Sequence, residues 1–144
     1  MIDPGLLKAY KKTRFLVWTP EGEIVLRVGE RNLQLDALMA KFGTVSSAFV
    51  TAWNPGSVNL SMEENQNRQT TLTAEVGKAG YVSFCGEGVG EDQAWTPEAS
   101  VLIVGILRGD AQRLGVRFGQ AAIVFAERGR AVELLLCSDQ GIGV

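Results

Sequence analysis

The segment Ala48-Phe49-Val50-Thr51-Ala52-Trp53 is apolar or β-branched almost throughout, the pattern of a strand buried on both faces of a sheet. Asn54-Pro55-Gly56 stops it. Proline fixes its own φ and supplies no backbone donor, and glycine takes the positive φ of a tight turn. Ser61, three residues before Glu64, is a capping-box pattern that opens a helix. That helix is expected to run to about Val76, with Gly77 or Gly80 ending it.

Spacings of three and four residues place Met62, Asn65, Gln69, Leu72 and Val76 on the inward stripe of this helix. Two carboxamides thus occupy places where leucine is the ordinary choice. A buried, unpaired amide costs roughly 1–3 kcal/mol, so Asn65 and Gln69 must find partners. Arg68 flanks the stripe, and Glu64, one turn earlier, is positioned to pair with it. Two readings stand: the amides tie the helix to backbone groups of the turn at Asn54, or they line a polar pocket where a sheet strand ends, a usual ligand position in α/β sheets.

A chain of 144 residues is one domain, 1–144, large enough for a core without staples. The formal net charge of −2, with both signs scattered, gives no footprint for nucleic acid. Histidine is absent, which removes the commonest general base and metal ligand together. No metal and no cofactor is expected. Cys85 and Cys137 read as a reduced pair. Nothing resembles a signal peptide, and Val101 to Leu107, the most apolar run, is too short to span a membrane. A soluble, cytoplasmic protein is expected.

Ahead of the buried strand, Asp3-Pro4 reads as a helix start, followed by Leu6, Leu7 and Tyr10 as a short apolar face. Phe15 to Trp18 and Glu23 to Val28 read as a hairpin around Pro20 and Gly22. Leu35, Leu38, Met39 and Phe42 give another helix, capped by Asn32 and ended at Gly43. Tyr81 to Cys85 follows as a strand, then the acidic, glycine-rich stretch Gly86 to Trp95, read as a loop whose acids Glu87, Glu91 and Asp92 disfavour a phosphate cradle. Glu98 precedes the strand Ser100 to Leu107. Asp110 reads as the cap of a short helix, Gln120 stands at the mouth of the strand Ala121 to Ala126, and Arg128-Gly129 turns the chain into Ala131 to Cys137 before a tail from Ser138. The fold expected is α+β or α/β, with a mixed sheet of about seven strands and about four helices packed on it.

Four ordered segments, Thr51-Ala52-Trp53-Asn54-Pro55, Glu64-Asn65-Gln66-Asn67-Arg68, Pro97-Glu98-Ala99-Ser100 and Phe118-Gly119-Gln120-Ala121-Ala122, resemble the bacterial family called domain of unknown function 3293. The resemblance extends from about Tyr10 to Leu136 and implies a single-domain bacterial protein. It brings no activity, cofactor or catalytic residue with it.

Three functions compete. A binding module would hold a small polar or anionic molecule, with Arg68 as charge partner, Asn54, Asn65, Gln69 and Gln120 as orienting amides, and Trp53 as a wall. A hydrolase or transferase would use Glu64 and Glu98 as acid and base. An interaction protein, a homo-oligomer among the options, would expose aromatics such as Trp18 or Trp95 or the edges of the two end hairpins.

Overall fold

A computed structural model describes residues 4–91 and 96–137; Asp3, Asp92, Trp95 and the tail from Ser138 lie outside them. The hairpin β1 (Arg14–Thr19) and β2 (Gly22–Leu26) follows helix α1 (Pro4–Lys11) and precedes α2 (Leu33–Lys41). Then come β3 (Ser46–Val50), a single 3-10 turn at Pro55–Ser57, α3 (Met62–Lys78), β4 (Val82–Val89), β5 (Glu98–Val104), α4 (Arg108–Arg117), β6 (Ala122–Glu127) and β7 (Glu133–Leu136). This is one α+β domain, with a sheet of seven strands in the order β2-β1-β4-β5-β3-β6-β7.

Among the described residues every neighbouring pair is antiparallel, so the parallel neighbours expected of a mixed sheet do not occur there. The strand-helix-strand steps do join strands of the same direction. β3 and β4 flank β5, however, and β5 and β6 flank β3. β5 returns from β4 over a connection too short for a parallel crossover, and so fills the slot between β3 and β4. The segment from β3 to β6 is therefore a pair of interlocked split β-α-β units, the ferredoxin-like arrangement. That arrangement fixes no function.

Alternation along the inner strands divides the core in two. Phe49, Leu102, Val104 and Val124 pack with Leu35, Leu38 and Met39 of α2 and with Leu6, Leu7 and Tyr10 of α1. Val50, Val101, Ile103, Ile123 and Phe125 pack with Leu72 and Val76 of α3 and Ala111 and Phe118 of α4 on the other face. The sheet is also strongly curled. Gly29 N donates to Val132 O at 2.7 Å and Val132 N donates to Glu30 O at 2.9 Å, so the chain leaving β2 meets the chain entering β7. Seven flat strands would hold those edges about 29 Å apart, whereas the three residues from Leu26 to Gly29 reach only about 10 Å.

Several local expectations change. The glycine-rich stretch is not a loop from Gly86 onward, because β4 continues through Gly86, Glu87 and Gly88 to Val89. Asp110 does not cap α4: Leu107 holds that position without a side-chain bond, and Asp110 instead accepts from Arg113. Met62 is 57% exposed, in a first turn whose capping residues Ser61 and Glu64 are also exposed, so the inward stripe of α3 begins at Asn65. Among the described residues no helix is long and apolar enough to cross a membrane.

Candidate functional site

The ladder of β3 ends at Val50, and Asn54 and Gly56 then turn the chain in left-handed conformations, φ 45° and 62°. The peptide groups between these points lie beside the sheet without strand partners, and buried backbone groups must be paired. Side chains pair them. Gln69 Oε1 accepts from Ala52 N at 2.9 Å, and Arg68 Nε donates to Ala52 O at 3.0 Å. Thr51 Oγ1 accepts from Trp53 N at 3.1 Å, and Gln120 Nε2 donates to Trp53 O at 3.2 Å. Asn65 Oδ1 accepts from Asn54 N at 2.8 Å.

α3 can do this because its capping box fixes where the helix begins, and turns of 3.6 residues then carry Asn65, Arg68 and Gln69 past the end of β3 in sequence. Asn54 Oδ1 adds a second tie, accepting from Asn65 Nδ2 at 2.8 Å and from Leu60 N at 3.0 Å. α4 supplies the opposite wall. Arg68 Nη2 donates to Phe118 O at 2.7 Å, Gln120 Nε2 reaches the same carbonyl at 3.2 Å, and Gly56 N donates to Gly119 O at 2.7 Å.

The structure therefore gathers Trp53, Asn54, Asn65, Arg68, Gln69 and Gln120 at one end of the sheet. Sequence reading missed Thr51, whose hydroxyl also donates to Ala99 O at 2.7 Å, and the carbonyl of Phe118. Thr51 carried a signal, a hydroxyl in the last turn-ward residues of an otherwise apolar run. The Phe118 carbonyl carried none, since any residue has one.

Asn65 is 2% exposed and holds both ends of this loop. Asn65→Leu is expected to lower the free energy of unfolding by about 2 kcal/mol, because the half-buried Asn54 N is left without its acceptor and Asn54 Oδ1 loses the Asn65 donor. Urea denaturation measures it; an unchanged midpoint would remove Asn65 from the network's supports.

Two groups in the cluster keep unused donors. Gln69 is 9% exposed, and its Nε2 has no hydrogen-bond partner. Arg68 is half-buried, and among the described residues no carboxylate lies within salt-bridge distance of it. The expected pair with Glu64 does not form. Glu64 Oε1 is taken by its own cap, accepting from Ser61 N at 3.2 Å and Ser61 Oγ at 3.0 Å.

Glu98 begins β5 at the same end of the sheet, but by alternation it shares the face of Leu102 and Val104, on the α1 side. Burial raises its carboxyl above the ordinary range. Tyr10 of α1 is close enough to feel it: burial first, and the Glu98 charge second, push the phenol up to about 12. Glu98 and Glu64 share no hydrogen bond. A carboxyl with a raised folded pKa weakens the fold where it is charged, and the penalty disappears as pH falls through that pKa. Glu98→Gln is thus expected to melt above the wild type at pH 7 and together with it at pH 3, in scanning calorimetry across that range.

A shallow cleft of about 240 Å³ lies apart from the cluster, between the β1-β2 hairpin and α2, lined by Thr19, Ile24, Gln34 and Leu38 and bounded by the ion pair of Lys41 with Glu21 at 2.7 Å. None of the candidate binding or catalytic residues named from the sequence lines it.

No curated protein and no solved structure matches the chain. One family model does, over residues 50–123, which is just over half of the chain and narrower than the resemblance suggested. That span opens on the last residue of β3 and closes within β6, so it takes in the whole side-chain ladder, both helices that build it, and Glu98. The chain therefore belongs to the family described as Protein of unknown function (DUF3293).

Proposed function

We propose that the chain binds a small anionic molecule, through a carboxylate or phosphate group, where β3 ends against α3 and α4. One observation carries this reading: Arg68 is anchored by two carbonyls yet faces no acid among the described residues, beside a buried Gln69 amide with an unused donor. A guanidinium has five N–H donors, and the anchoring bonds occupy two. Carbonyl dipoles fix its plane but leave its charge uncompensated, a costly state for a half-buried cation unless an anion completes it. In this reading Asn54, Asn65, Gln120 and the buried Trp53 hold the frame, and Arg68 and Gln69 meet the ligand. A cytoplasmic setting fits the two unbridged thiols, Cys85 exposed and Cys137 buried.

A second reading, in which the cluster serves only the fold, is favoured by the peptide groups of residues 52–54 that it satisfies. Calorimetric titration with inorganic phosphate and with small mono- and dicarboxylates separates the two. Arg68→Lys keeps the charge but loses the planar fork. Saturable binding by the wild type, weakened at least tenfold in Arg68→Lys, supports the ligand site. Equal heats in the two proteins, or none at millimolar anion, leave only the structural role. Chemistry run by Glu64 and Glu98 gains no support, because the Glu64 carboxylate is committed to its helix cap.

A further inference from the structure

α3 and α4 pack on β3 to β6 and leave the same face of β1 and β2 bare. The uncovered positions alternate with the core residues Phe15, Val17, Ile24 and Leu26, so they are Arg14, Leu16 and Trp18 on β1 and Glu23, Val25 and Arg27 along β2. Trp18 is 44% and Val25 38% exposed. Isolated exposed apolar residues mean little, but here register brings them together: Leu16 lies opposite Val25, and Trp18 opposite Glu23.

Charge on this patch is sorted by level. One further step of the same register sets Arg14 opposite Arg27, two like charges across a strand pair, an unfavourable arrangement. No carboxylate among the described residues pairs with either arginine. Two levels away sits Glu23, holding Trp18 Nε1 at 2.9 Å. The patch thus has a basic end, an apolar middle of Leu16 and Val25, and an acidic and aromatic end.

We infer that this bare face of β1 and β2 is a contact surface for a second copy of the same chain, packed face to face about a two-fold axis across the strands at Leu16 and Val25. That axis reverses strand direction and keeps β1 over β1 and β2 over β2. Arg27 then meets Glu23 of the other copy, Arg14 lies over the other Trp18 ring, and the two Leu16–Val25 pairs meet in the centre. An axis along the strands would instead place β1 over β2 at the same level and stack Arg14 on the other copy's Arg27. The neighbouring Glu87, opposite Leu16 on β4, does meet its own copy, but at the patch margin where solvent screens it. Edge-to-edge pairing through β2 is a poorer fit, because Asn32 Nδ2 already occupies Val25 O at 2.9 Å. Such a contact is isologous, with each unlike-charge pair made twice.

The patch offers Arg14, Leu16, Trp18, Glu23, Val25 and Arg27, against roughly 20–30 residues a side in standard interfaces, so association is expected to be weak and to show only at high micromolar concentration. Sedimentation equilibrium of the full chain, from about 10 µM to 1 mM, tests it. The wild type should approach a dimer at the upper end, and Glu23→Arg and Arg27→Glu should each weaken association at least tenfold. Mixing those two variants should restore it, since one copy then presents two acids and the other two bases. Circular dichroism melting verifies that each variant is folded. A wild type that stays monomeric throughout overturns the inference. So does a dimer indifferent to both charge reversals, or one that the mixture fails to restore.

Discussion

Gly86→Ala is expected to destabilise the protein by about 4 kcal/mol, at the severe end of single substitutions. A Cβ on Gly86 would run into the backbone carbonyl of Leu16 on β1 and come within 3.0 Å of the Phe49 ring. The first of these is main chain in the neighbouring strand, so relief requires moving β1 from β4 along the ladder that joins the hairpin to the rest of the sheet. Gly88→Ala is the control. There the new methyl would meet the Phe15 ring at 3.7 Å and Thr13 Cγ2 at 3.9 Å, both ordinary contacts, and the expected change is under about 1 kcal/mol. Urea denaturation of both variants decides the matter. Similar midpoints would mean that β1 yields easily and that Gly86 owes its place to something other than close approach.

The same pair shows where sequence reading reaches its limit. Gly86-Glu87-Gly88 has the composition of a loop, and nothing local distinguishes it from one. Its extended state is imposed by β1 and β5 on either side, through residues far away in the chain. Features read correctly are those whose physics is complete within one or two turns. Asn32 caps α2 by accepting from Leu35 N at 2.8 Å, and Ser61 and Glu64 form the capping box as anticipated. The polar stripe was legible for the same reason, because helical periodicity alone places Asn65 and Gln69 inward.

What the stripe contacts was only half legible. The cost of a buried amide requires a partner for Asn65, and a tie to the turn at Asn54 was one of the two readings it left open; that bond is present. That Arg68 would prefer the carbonyls of Ala52 and Phe118 to the carboxylate of Glu64 does not follow from spacing. An exposed i, i+4 ion pair contributes about 0.3–0.5 kcal/mol, whereas hydrogen bonds from a charged donor contribute about 1.5–3 kcal/mol, so tertiary carbonyls win once the fold brings them near. Insertion of β5 between β3 and β4 was hidden for a related reason: a β-α-β sequence pattern fixes the relative direction of its strands but not whether they touch.

Gly119→Ala should damage fold and site together. Gly119 ends α4 at φ +74°, where a side chain is strained in any surroundings, and its surroundings are also full. An added Cβ would stand 2.5 Å from Pro55 Cβ and 3.2 Å from Pro55 Cα, with Arg68 Nη2 at 3.7 Å. Strain and overpacking together give an expected loss of about 3 kcal/mol. The two causes separate by double substitution. Asn tolerates a left-handed backbone, so Gly119→Asn recovers most of the stability if strain dominates. If crowding dominates, Asn is no better than Ala, and Pro55→Gly added to Gly119→Ala recovers it instead, a coupling that a mutant cycle reads directly. We expect crowding to dominate, because Pro55 is pinned to this point by the bond from Gly56 N to Gly119 O. Displacing Pro55 also shifts the Phe118 carbonyl that orients Arg68, and the loss of one such charged hydrogen bond corresponds to at least tenfold in affinity. Anion titration of Gly119→Ala at a temperature where it remains folded should therefore show weakened binding. Undiminished binding would mean that the anchor on α4 is dispensable and that Ala52 O alone orients the guanidinium.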